Sequence, residues 1–153
     1  MTAPIVEWRN ADNTDFVTSW NIGVVKAGET SDEFALQIWN NRGGEADVSD
    51  MQETQLTIKD ENGGDTGSVV TEKWIEARVD TATSLAFIAI GGQTSVNVNA
   101  KNNAVGIIKG TANSGDMATD TNNYAKITLR AKPPLNATAG VRNFKVRVFY
   151  YYT

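Results

Sequence analysis

The chain has 153 residues, with 18 acidic against 14 basic side chains and neither cysteine nor histidine. One domain of this size can bury roughly 70% of the surface its unfolded form exposes, so it needs no covalent or metal staple. The missing cysteines exclude disulfides, thiolate zinc sites, iron–sulfur clusters and cysteine nucleophiles, and the missing histidines exclude imidazole metal sites and histidine-based triads.

The opening Met-Thr-Ala-Pro-Ile-Val-Glu-Trp-Arg-Asn has no basic stretch leading into an apolar one, and no later stretch approaches the ~20 apolar residues that span a bilayer. The expectation is a protein made and used without a membrane signal or membrane partner. Residues 1–20 place Trp8, Phe16 and Trp20 among polar neighbours, which reads as an N-terminal arm or first strand ahead of one sandwich domain over residues 21–153. The three rings are expected to cap this domain's own core, because large aromatics supply much of an ordinary core.

From residue 33 the periodicity is that of strands. Phe34, Leu36 and Ile38 alternate with Ala35, Gln37 and Trp39, and the stretch ends at the turn Asn40-Asn41-Arg42-Gly43-Gly44. Residues 48–52 have room for one helical turn. Residues 54–59 turn Leu56 and Ile58 inward and stop at Asp60-Glu61-Asn62-Gly63-Gly64-Asp65-Thr66-Gly67, whose residues accept positive φ and read as a hairpin-type turn. After Val69-Val70, residues 73–80 set Trp74, Glu76 and Arg78 against Ile75, Ala77 and Val79. Residues 85–90 form a continuous apolar run closed by Gly91-Gly92, and residues 94–98 and 104–109 read as further short strands. Residues 110–123 are small and polar, as a long surface loop requires. Ala125, Ile127, Leu129 and Ala131 then alternate with Lys126, Thr128 and Arg130 until Pro133-Pro134 ends the strand.

The last strand is the clearest. Phe144, Val146, Val148 and Tyr150 face one way and Lys145, Arg147, Phe149 and Tyr151 the other, a pattern expected of a strand central to the sandwich and not of a tail. With roughly eight to ten short strands and turn signals about every ten residues, the expected fold is all-β: a single antiparallel β-sandwich of immunoglobulin-like or related Greek-key topology.

Charge is unevenly spread. Residues 1–123 hold all 18 acidic side chains and eight basic ones, a balance of −10, whereas residues 124–153 hold six basic side chains and none acidic. On a chain of net charge −4, six cations spread over two strands fall short of a nucleic-acid footprint, and no nucleic-acid partner is expected. The basic and aromatic row Lys145, Arg147, Phe149 and Tyr151 is the candidate protein-binding surface, because oppositely charged patches complement one another in assemblies.

Other chemistry is less specific. The cluster Asp60–Asp65 offers the carboxylate and amide oxygens that calcium takes but does not match the EF-hand spacing, and a turn explains the same residues. Eighteen carboxylates guarantee that some pair stands at a glycosidase spacing, so such a pair carries no information by itself. Trp39, Trp74 and Tyr150-Tyr151-Tyr152 suit a sugar-stacking platform, but core placement is the commoner fate of strand aromatics. No catalytic residue, metal ligand or cofactor is assigned, and the chain is expected not to be an enzyme.

Three segments carry a resemblance: IGVVKAGETSDEFALQIWNNRGG at residues 22–44, TIKDENGGDTGSVV with KWIEARVD within residues 57–80, and KITLRAKPPLNATAGVRNFKVRVFYYYT at residues 126–153. The phrases AG…IWNN and P…ATAG…F…V…Y in particular are similar to those of small immunoglobulin-like β-sandwich structural proteins of tailed bacteriophage virions. The resemblance implies a non-catalytic virion structural protein, assembled in the host cytoplasm, most simply a capsid decoration protein bound to the major capsid protein of the finished shell. It leaves open a tail or baseplate protein, and the residues leave open a carbohydrate-binding or adhesin module and a homo-oligomer. Alanine, threonine, asparagine and glycine make up 62 of the 153 residues, a composition suited to many modest hydrogen-bonding contacts repeated over a lattice.

Overall fold

The computed structural model describes residues Met1–Thr153. Eight antiparallel strands form two sheets. They are β1 (Val6–Asn10), β2 (Phe34–Asn40), β3 (Gln52–Asp60), β4 (Ile75–Val79), β5 (Ile88–Ile90), β6 (Val96–Asn97), β7 (Tyr124–Ala131) and β8 (Phe144–Tyr151), with one helical turn, α1 (Ser68–Thr71), between β3 and β4. The larger sheet runs β1-β2-β7-β4-β5 and the smaller β6-β3-β8. Pairing of β2 with β7 and of β3 with β8 matches the B–E and C–F pairs of an immunoglobulin sandwich.

The alternation read from the sequence builds the core. Leu36 and Ile38 on β2, Ile127 and Leu129 on β7, and Ile75, Ala77 and Val79 on β4 line the inner face of the larger sheet. They meet Leu56 and Ile58 on β3, and all nine are buried. Trp8 and Trp20 pack against this core, and Trp20 lies 5.7 Å from the Phe34 ring and 5.9 Å from that of Phe144. Phe16 does not join them. It is exposed, with the Arg9 guanidinium 4.8 Å above its ring. Residues 6–10 belong to the larger sheet through β1, so the sandwich begins within the first twenty residues.

The outer face of β2 and β7 is also covered, which the alternation did not foretell. Trp39 is fully buried and stacks on Tyr124, its partner across the ladder, at 4.6 Å. The Trp39 indole N–H donates to Gln37 Oε1 at 2.8 Å, and the Tyr124 hydroxyl donates to the Met117 carbonyl at 2.8 Å. Residues 110–123 thus fold over this face. Asparagines hold the loops in place. Asn40 Nδ2 donates to the carbonyls of Ser49 and Ile108, Asn41 Nδ2 to those of Ala46 and Gly110, and Asn123 Nδ2 to those of Lys109 and Thr111. These amides supply the partners that buried loop backbone would otherwise lack.

Several boundaries differ from expectation. The turn after β3 is a corner between sheets and not a hairpin, since Gly67 (φ 82°) leads into α1 and the chain crosses to β4 in the other sheet. The single helical turn falls at Ser68–Thr71, where it buries Val69 and Val70, and not at residues 48–52. In the run 85–90 only the last three residues form a strand, and Leu85 and Ile88 are exposed. Residues 104–109 make one bridge, Ile108 to Met51, in place of a strand. β8 is not central: it pairs with β3 alone and lies at the edge of the smaller sheet.

Candidate functional site

The alternation of β8 places Lys145, Arg147, Phe149 and Tyr151 in one exposed row on the outer face of the smaller sheet. β3 positions them from below. Lys145 stands opposite Lys59, Arg147 opposite Thr57 and Phe149 opposite Gln55, while Tyr151 pairs with Gln52 beyond a register shift between Gln52 and Gln55. The shift is a bulge at Glu53, which takes a positive φ of 49°.

Charge at this row is uncompensated. Neither Lys145 nor Arg147 has a carboxylate within ion-pair distance, although the chain forms five such contacts elsewhere. Two like charges directly opposite, Lys59 and Lys145, would repel, but the Lys59 ammonium turns to Asp65 Oδ1 at 2.5 Å. That hydrogen bond, with a second from Gln93, holds the Asp65 carboxyl below the usual carboxylate range. The Arg147 guanidinium extends along the sheet to Gly63, where a Cβ would stand 2.8 Å from its Nη2. That atom is the far end of a flexible side chain with no hydrogen bond or ion pair of its own, so a methyl there would only make the guanidinium swing aside.

Beside the row, Asp60 organises the corner. Its Oδ1 accepts from the N–H groups of Asn62 and Gly64, both at 2.9 Å, and its Oδ2 from the Thr66 N–H at 3.1 Å and hydroxyl at 2.7 Å. The Thr66 hydroxyl and the three backbone donors hold its carboxyl far below the usual range. Both oxygens are therefore spent on closing the loop, and no three acidic side chains converge on a point where a metal ion could sit.

Next to the N-terminal end of β8 an open groove of ≈ 450 Å³ separates the sheets, lined by Trp8, Val17, Trp20, Leu36, Leu129, Phe144 and Val146. Its polar margin is Thr18, Ser19, Arg142, Asn143 and Lys145, and no carboxylate lines it. The geometry offers an apolar seat with a basic rim and no acid–base pair. Trp39 and Trp74 are buried, so neither contributes to a stacking platform, and of the tyrosine run Tyr151 and Tyr152 are exposed.

The sequence placed all four residues of the row on one face. It did not show that their strand is an edge, nor that Gln55, Thr57 and Lys59 share their face, because register across a ladder is a long-range property.

No protein-family model matches the chain, and no curated protein matches it. Among solved structures, a family 123 glycoside hydrolase from Clostridium perfringens is similar over 98% of this chain and 25% of its own, at 16% identity and a TM-score of 0.49. The chain thus spans about a quarter of that enzyme's length.

Proposed function

We propose that the chain is a non-catalytic structural protein of a tailed bacteriophage virion, a capsid decoration protein that docks on the assembled shell through Lys145, Arg147, Phe149 and Tyr151. One observation carries the reading. These side chains form an exposed row whose two cations lack ion-pair partners, on a chain whose first 123 residues carry −10. Free cations flanked by exposed rings are what a docking surface needs: charge orients the encounter and the rings supply buried area. The resemblance at residues 22–44, 57–80 and 126–153 supplies the partner, a virion surface. Each contact is modest, and occupancy rests on repetition over the shell.

The test is location. Purified particles, separated into heads and tails and labelled with antibody to the chain, are expected to carry it on heads. Signal confined to tails moves the same docking face to a tail or baseplate protein, and absence from both overturns the reading.

A further inference from the structure

β8 has a neighbour on one side only. It pairs with β3, and apart from that ladder no backbone N–H or carbonyl of Phe144–Tyr151 is hydrogen bonded. The other sheet ends differ. β1 is closed in part by an Arg9–Phe16 bridge and by bonds from Asn10 N–H to Asp15 and Val17 N–H to Trp8, while β5 and β6 have three and two residues. β8 is eight residues long and contains no proline, no glycine and no positive φ. Its inward side chains are only half-buried, in contrast to the fully buried Leu56 and Ile58 that face Val148 and Val146 across the ladder. A long, regular edge whose backbone groups lack partners is a template for another strand, and its side chains decide which strand fits.

We infer that the occupant is a second copy of this chain, joined by antiparallel pairing of the two β8 edges into one continuous sheet β6-β3-β8-β8-β3-β6. The outer row is self-complementary in that arrangement. Along the strand it reads basic, basic, aromatic, aromatic at residues 145, 147, 149 and 151. Two-fold antiparallel pairing reverses one copy, and residues opposite each other in a ladder must share a face, so only pairs whose numbers sum to an even value are allowed. Centring the two-fold on Val148 sets Arg147 against Phe149 of the second copy and Lys145 against Tyr151 of the second copy. Both contacts occur twice, and no like charges meet. Centring on Arg147 instead sets the two guanidinium groups against each other, which disfavours that register. Cations already lie on rings throughout this fold: Arg130 is 3.8 Å and Arg78 4.8 Å from the Phe87 centroid, and Arg142 is 5.4 Å from that of Trp74. Pairing also covers the half-buried inner side chains and doubles the basic and aromatic face.

The experiment uses the isolated chain without particles, so its failure is separate from failure of the docking reading. Sedimentation equilibrium is expected to show reversible passage from one chain to two over about 1–300 µM. Phe149→Glu puts a carboxylate opposite Arg147 of the second copy and is expected to tighten the dimer about fivefold at low salt, whereas Phe149→Lys puts like charges together and loosens it about tenfold. Tyr151→Glu and Tyr151→Lys, at a 67% exposed position, repeat the pair of opposite effects against Lys145. A single-chain mass at every concentration, or equal affinities for the acidic and basic variants at both positions, would overturn the inference.

Discussion

Ile58 and Val146 stand directly opposite each other in the β3–β8 ladder, on the face turned to the core, yet their surroundings differ. Ile58 is 0% exposed and lies on β3, the central strand of the smaller sheet, whereas Val146 is half-buried and lines the open groove. Ile58→Ala removes three fully buried carbon groups, about 2.5 kcal/mol of transfer free energy at ~0.8 kcal/mol each, and the cavity left between two packed sheets raises the cost to ~3–4 kcal/mol. Val146→Ala removes two groups that are already partly wet and leaves a hollow continuous with solvent, so it costs ~1 kcal/mol. Against the ~5–15 kcal/mol of a typical domain, both variants stay folded. Urea titration followed by tryptophan fluorescence, below the concentration of self-association, reads both values. Equal costs for the two variants would refute the reasoning, because they would mean that Val146 is as enclosed as Ile58 and that β8 is no edge.

Three more outcomes are expected. Gly91→Ala would place a methyl 2.3 Å from the Val70 carbonyl oxygen, a backbone atom that cannot step aside, and should lower stability by ~2–3 kcal/mol in thermal melts. Gln37→Ala leaves the buried Trp39 indole N–H and the Ala11 carbonyl without their partner and should cost ~1–3 kcal/mol, with a shift in tryptophan emission. Asp60 has a folded-state pKa below its unfolded value, so the stability it contributes is present above about pH 4 and is lost as pH falls toward the folded-state pKa. Asp60→Asn should flatten the acid limb of the stability profile, and because all of the carboxylate's contacts are to donors, millimolar calcium should leave the wild-type melting temperature unchanged.

How much of this could be read from the sequence depends on which physical property each residue reports. Alternation reports which residues share a side of a strand, and it turned Leu56 and Ile58 inward, grouped Ile75, Ala77 and Val79 on one face and set the row on β8 together, all as found. It says nothing of lateral neighbours, so the strongest alternation in the chain turned out to be an edge. Leu85 and Ile88 misled for the opposite reason: an apolar run is dry only when something covers it, and both are exposed. Trp39 was set on the face opposite Leu36 and Ile38 with burial as its expected fate, and it is buried, but its cover comes from residues 110–123, more than 70 positions away and without periodicity. The Asn-rich segments read as turns, yet they are partly buried because Asn40, Asn41 and Asn123 satisfy loop backbone from within.

The docking face is the central claim, and Arg147→Glu tests it most directly. Arg147 is exposed, in no ion pair, and bonded to nothing that the fold requires, so the reversed charge should leave the melting temperature unchanged. Binding of the purified variant to particles stripped of the chain, measured by co-sedimentation over a salt series, is expected to fall about tenfold near 50 mM salt and by much less near 500 mM. Wild-type binding by the folded variant at every salt concentration would contradict the account.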